Sequence, residues 1–307
     1  MNKIIIRRSI TVVSFLILLG ILWMNRVTFT AGIQELASAK LVFVIAATIA
    51  ALLSVIPGAG MYQLLTTKKL AYRKTLLVQM ANNFTGKILP AGTGNMATMA
   101  RYLTTQSYNV VEASSIVSVN YLTSFLGLIG LIMTSLFISG NSVTDIVKIN
   151  VAPVFYLVVI IIVGSLLLAA FIPSAKSIVR KKAREFWRVY LGAISHGWRF
   201  LGAIILAASL TLTLTVCLML SVGAFGGDIS FIQGLIVLTV GVAAAAITPT
   251  PGSLGGAELG IMFALQAAGI DGLIALPAAL IYRFATYWFP ILPGFIAFQI
   301  ALKKHYL

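Results

Sequence analysis

Ile247-Thr-Pro-Thr-Pro-Gly-Ser-Leu-Gly-Gly-Ala-Glu-Leu-Gly-Ile261 interrupts one of the most apolar regions of the chain. Pro249 and Pro251 remove two backbone donors and disfavour helix at the residues before them. Gly252, Gly255 and Gly256 open backbone angles that other residues resist. A carboxylate, Glu258, follows, and then a new apolar helical run. In lipid, broken backbone survives only where it is buried in protein or lines a wet cavity. A proline and glycine break with a charge beside it therefore reads as a site. An earlier stretch repeats the pattern: Asn82-Asn-Phe-Thr-Gly-Lys-Ile-Leu-Pro-Ala-Gly-Thr-Gly-Asn95, with Pro90, two spaced glycines, Asn83 and Lys87. Two interrupted apolar segments in corresponding halves point to a transporter binding site.

Composition fixes the class. Of 307 residues, 60% are hydrophobic and 9% charged, and the mean hydropathy is +1.02. This is the signature of an all-α polytopic membrane protein, one integral membrane domain over 1–307 with no soluble domain. The net charge of +15, from 22 basic and 7 acidic residues, would suggest nucleic acid in a soluble protein. Here most basic residues fall in short loops, so the positive-inside effect and anionic headgroups account for them, and no nucleic-acid partner is expected. The single cysteine, Cys217, rules out an intrachain disulfide, and His196 and His305 both lie near basic loops. No cofactor or metal is expected, and no catalytic constellation is visible.

Taken in order, residues 9–24 predict a first span, preceded by Lys3, Arg7 and Arg8, which place the N-terminus in the cytoplasm. Residues 41–66 predict a second, kinked at Pro57-Gly58 and ending at Lys68, Lys69, Arg73 and Lys74. Residues 75–89 and 93–106 are each about 22 Å as helix. The hydrocarbon core needs about 30 Å. They predict a re-entrant hairpin. Residues 113–139 and 151–172 are full spans, the latter delivering Lys176, Arg180, Lys181, Lys182, Arg184 and Arg188. Residues 200–225 go out, 231–249 and 255–269 form a second broken hairpin, and 273–302 end at Lys303, Lys304 and His305. About six full spans plus two broken or re-entrant hairpins result. At about 28 Å, 231–249 could also span alone. The halves 41–139 and 200–302 have opposite orientation, which fits an inverted-topology repeat; an unrelated string of helices is the alternative. Both termini are then cytoplasmic.

The charged residues within these segments are expensive and so read as functional. Helical rise places Lys87, Glu258 and Arg283 near the bilayer midplane and Arg101 nearer the cytoplasmic rim. Against the functional reading, Glu258 could serve the helix dipole, pair with Arg283 to stitch two helices, and Lys87 could snorkel. The excess of positive charge, with two helix N-termini facing a cavity, suits an anion. In a membrane that anion is a phosphate headgroup. Tyr282, Tyr287 and Trp288 read first as bundle packing, with lining of a lipid path the alternative role.

Pro249 through Glu258, Gly269, Ala279-Leu-Ile-Tyr-Arg283 and Pro290 with Pro293-Gly294 resemble the C-terminal signature of the lysylphosphatidylglycerol synthase transmembrane, or flippase-like, family. Asn83 through Leu89-Pro90 and Arg101-Tyr-Leu103 resemble its N-terminal signature, although the acidic residue that often precedes that arginine is missing here. The resemblance implies lipid translocation or support of a lipid-linked pathway; the paired breaks and the central positive charge then suggest a bacterial inner-membrane protein that moves an anionic phospholipid or a polyprenyl-phosphate-linked intermediate between leaflets. The candidate substrate-binding residues are Asn83, Lys87, Pro90, Arg101, Pro251, Gly252, Gly255, Gly256, Glu258, Tyr282 and Arg283. The alternatives are a non-transporting membrane partner of a separate lipid-modifying or glycosyl transferase, and a phosphatidylglycerol lysyltransferase-type enzyme. No counterpart of the synthase's aminoacyl-transfer domain stands in these 307 residues.

Overall fold

A computed structural model describes residues 34–88, 93–139, 184, 186–188, 190–192, 195, 197–248, 250 and 252–307. The expected spans over 9–24 and 151–172, Pro90, Pro249, Pro251 and the basic residues Lys176, Arg180, Lys181 and Lys182 lie outside them. Among the described residues every regular element is a helix. In chain order these are α1 (Leu41–Leu53), α2 (Val55–Leu65), α3 (Tyr72–Ile88), α4 (Thr93–Thr105), α5 (Val110–Ser139), α6 (Gly197–Gly223), α7 (Phe231–Ile247), α8 (Gly256–Ala267) and α9 (Gly272–Arg283). A π-helical turn (Phe284–Trp288) and α10 (Phe289–Lys303) follow.

Among the described residues, four segments are long and apolar enough to cross a bilayer: Leu41–Leu65, Val110–Ser135, Gly197–Gly223 and Gly272–Lys303. On α5 an apolar stripe at Phe125, Ile129, Met133 and Phe137 is exposed. Its spacing of four residues keeps it on one helix face, as a lipid-facing surface requires. The interrupted segments are short, as expected: α3 and α4 have 17 and 13 residues, α7 and α8 have 17 and 12.

The expected kink at Pro57-Gly58 is displaced. The helix breaks at Ser54, between α1 and α2. A proline disturbs the turn before it, because its ring collides with the carbonyl four residues back and it offers that carbonyl no donor. Here that carbonyl belongs to Leu53, the last residue of α1.

The residues divide into two compact units, neither of them a continuous half of the chain. Of the described residues, the first takes those up to Ala51, those within 86–93 and those within 214–289; the second takes those within 52–85, 94–213 and 290–307. In the first, α7 and α8 form a hairpin whose backbones approach closely. A Cβ on Gly241 would stand 2.5 Å from Ile261, and one on Gly260 would stand 2.4 Å from the Ala244 Cβ. Where lipid competes equally well for apolar side chains, such small-residue seams let dispersion and backbone proximity hold helices together. The ends of the hairpin are fixed by polar groups. Ser230 and Gln233 cap α7 reciprocally, the Gln233 amide donates to the Ala268 carbonyl at 3.2 Å, and Asp271 accepts from Leu273 N at 2.7 Å to start α9. Cys217, Leu218, Val237, Met262, Leu265, Leu276 and Tyr282 fill its core.

In the second unit, Val78, Met99, Tyr102, Leu103, Ile116 and Val117 form the core. Arg199 donates one guanidinium nitrogen to the Gln63 and Thr66 carbonyls at 2.9 and 2.8 Å, closing the C-terminus of α2. The Thr75 and Tyr102 hydroxyls lie 2.9 Å apart and join α3 to α4, and Thr98 donates to Thr85 at 2.9 Å. Gly294 lets α10 sit against the α3 backbone: a Cβ there would lie 2.9 Å from Phe84 N.

Gly260→Val should overpack the α7–α8 seam and cost about 1–3 kcal/mol. Thermal unfolding in detergent should show a lowered midpoint, whereas Gly130→Val, at a position with open space around it, should leave the midpoint unchanged.

Candidate functional site

The break after α7 leaves the last carbonyls of that helix without their intrahelical donors. Proline supplies no N–H, so the Ala245 carbonyl loses the donor that residue 249 would have given. Side chains make up the loss. Ser253 Oγ donates to the Ala245 carbonyl at 2.7 Å, Thr248 Oγ1 to that of Ala244 at 2.7 Å, and Thr250 Oγ1 to that of Leu254 at 2.8 Å. The donor that Pro249 removes from the Ala245 carbonyl is thus answered by a nearby hydroxyl.

The glycines answer a steric demand. Gly252 has φ +61°, and a Cβ on it would stand 2.0 Å from the Tyr287 hydroxyl. Gly256, the first residue of α8, has Thr248 Oγ1 at 1.7 Å from the Cβ position. No other residue fits either place without moving its neighbour.

Glu258 sits in the first turn of α8, where a carboxylate is favoured by the helix dipole. One oxygen accepts from Gly255 N at 2.8 Å; the other accepts from Arg283 Nε at 2.8 Å. Arg283 Nη2 also donates to the Gly252 carbonyl at 3.0 Å. One arginine at the end of α9 therefore ties both the carboxylate and the broken backbone. The two side chains are only 12% and 13% exposed. At such burial an ion pair holds because each partner compensates the other, and removing one costs about 3–5 kcal/mol.

The next part of the site comes from the π-helical turn. Pro290 has no N–H, so the Thr286 carbonyl, four residues before it, has no α-helical donor. Phe289 N reaches instead to the Phe284 carbonyl, five residues back. Lys87, in the last turn of α3, fills the gap: Nζ donates to the Thr286 and Tyr287 carbonyls at 2.9 and 3.0 Å. The Tyr287 hydroxyl donates back to the Lys87 carbonyl at 3.2 Å. The Arg283 guanidinium lies 4.3 Å from the Tyr287 ring centre and the Lys87 ammonium 5.5 Å from it. Both cations lie within the range at which the negative face of an aromatic ring attracts them.

The first unit thus brings together Lys87, Gly252, Gly255, Gly256, Glu258 and Arg283. Their formal charge is two positives and one negative. Tyr282 is buried in the apolar core of the same unit. Asn83 and Arg101 belong to the second unit, Asn83 half-buried and Arg101 exposed. Pro90 and Pro251 are outside the described residues. The sequence reading gave Tyr287 bundle packing as its main role and did not foresee the π-helical turn. One signal was legible: Tyr287 stands four residues after Arg283, on the same helix face. The signal for the turn was Pro290 behind a lysine-bearing break, and only the tertiary contact gives it meaning.

Lys87→Met should strip the π-helical turn of its charge-assisted donors, each worth about 1.5–3 kcal/mol. Lys87→Arg should retain most of that stability. Melting midpoints in detergent should fall for the first variant and stay within a few degrees of wild type for the second.

Comparison with known proteins carries the assignment further. No curated protein matches the chain. The family model described as "Lysylphosphatidylglycerol synthase TM region" matches residues 10–294. With its broken apolar helices and the Glu258–Arg283 pair held at one of the breaks, the chain is an integral membrane protein belonging to the lysylphosphatidylglycerol synthase transmembrane-region family.

Proposed function

We propose that this protein transfers an anionic phospholipid, or a polyprenyl-phosphate-linked lipid, between the leaflets of a bacterial inner membrane, with both termini in the cytoplasm. The observation that carries the reading is Arg283 held at an interrupted helix inside an apolar region, 12% exposed, with Lys87 adding a second positive charge nearby. Guanidinium groups match phosphate oxygens geometrically and stay charged at any accessible pH. Intramembrane charge is costly enough that it marks function or structure. Broken helices at such a site are the common means by which transporters present polar groups to a substrate. The surrounding protein holds these groups tightly, with Tyr287 packed against Gly252 and Thr248 against Gly256.

A second reading is a membrane partner of a separate lipid-modifying transferase. The description of the matching family as one region of a synthase favours it. In that reading the Glu258–Arg283 pair joins helices and moves nothing.

Reconstitution separates the two. Vesicles carrying the purified chain and a fluorescent phosphatidylglycerol analogue should lose outer-leaflet fluorescence to a membrane-impermeant quencher, then continue losing it as inner-leaflet lipid emerges. We expect exchange at least about tenfold faster than in protein-free vesicles, reduced to near background by Arg283→Ala, a change of about 1.4 kcal/mol or more in the barrier. Exchange that is no faster than background with wild-type protein, or unaffected by Arg283→Ala in folded protein, removes the transport reading.

A further inference from the structure

We infer that Glu258 is an internal competitor for the anion position: its carboxylate holds the Arg283 guanidinium in the substrate-free protein and leaves it when a lipid phosphate binds. This inference rests on the transport reading and specifies how its site is regulated.

The geometry points here because neither cation is idle. The Lys87 ammonium is engaged by the Thr286 and Tyr287 carbonyls, so it cannot turn to a ligand without releasing the π-helical turn. Arg283 is different: one of its two partners is an anion, and anions can be exchanged. Carboxylate and phosphate approach a guanidinium through the same fork of N–H donors. Two anions on one nearly buried guanidinium repel each other with little water between them, so the entering phosphate and the resident carboxylate exclude one another. Glu258 also has somewhere to stay. Its second oxygen is anchored by Gly255 N at 2.8 Å, so the carboxylate can let go of Arg283 and remain at the start of α8. The Gly252 carbonyl keeps Arg283 in place during the exchange.

Such a competitor weakens binding and speeds release. A transporter needs both, since a headgroup bound too tightly at mid-bilayer would not leave. Glu258→Gln preserves the shape, removes the charge and keeps one acceptor oxygen, so one of the two N–H donors loses its partner.

The test is equilibrium binding of radiolabelled dihexanoylphosphatidic acid to the purified full chain in detergent, alongside the leaflet-exchange measurement. Glu258→Gln should bind the lipid at least about tenfold more tightly than wild type and exchange lipid more slowly. Glu258→Asp, whose shorter side chain keeps the charge, should show a smaller gain and serves as the reading if the glutamine variant does not fold. Glu258→Gln combined with Arg283→Ala should show no gain over Arg283→Ala alone. Equal or weaker binding by folded Glu258→Gln overturns the competitor role, as does a gain that persists without Arg283. If wild-type exchange depends on Arg283 while Glu258→Gln binds no more tightly, only this inference falls. If the wild type neither binds nor exchanges lipid, the transport reading falls with it.

Discussion

A backbone carbonyl or amide without a partner costs several kcal/mol in hydrocarbon, and every unusual feature of the first unit follows from that penalty. Prolines at 249 and 290 each delete a donor that an unbroken helix would have used. The carbonyls so released do not remain bare. Ser253 takes that of Ala245, and Lys87 takes those of Thr286 and Tyr287. Arg283 takes the Gly252 carbonyl within the break itself. The polar side chains of this region are spent on backbone first.

That order of priority changes how the charges should be read. Lys87 is a helix cap with a long reach, and its charge strengthens two hydrogen bonds to carbonyls. Glu258 is a dipole partner for α8 and an ion-pair partner for α9 at once. Arg283 alone joins an anion, a carbonyl and an aromatic ring. Because these contacts meet on one guanidinium, a change at any of them alters the others, and single substitutions there will not add independently. The glycines enforce the same economy sterically, since the Gly252 and Gly256 positions have no room for a Cβ.

The second unit uses the same principle with different residues. Arg199 closes the end of α2, and the Thr75–Tyr102 and Thr85–Thr98 pairs satisfy hydroxyls between α3 and α4. In both units glycines allow close backbone approach, as at Gly260 and at Gly294. Packing at small residues and pairing of polar groups take over the work that water-driven burial does in soluble proteins.

The sequence by itself determined the membrane class, the short interrupted legs at α3–α4 and α7–α8, and the ionisable residues worth attention, because hydropathy, proline and charge act locally and leave their mark in order along the chain. It offered a Glu258–Arg283 pair as one of two readings of these charges, since helical rise set both near the same depth. It put the α1–α2 break at the proline, whereas the structure has it at Ser54, since the disturbance falls on the preceding turn. Tertiary structure alone decided that Lys87 reaches the π-helical turn, 199 and 200 residues away along the chain, and that the Tyr287 ring lies near two cations. It also decided that Tyr282 is core and that Asn83 and Arg101 belong to the other unit. A freed carbonyl demands a donor but does not name one; which donor arrives depends on how separate helices are brought together, and no local pattern encodes that.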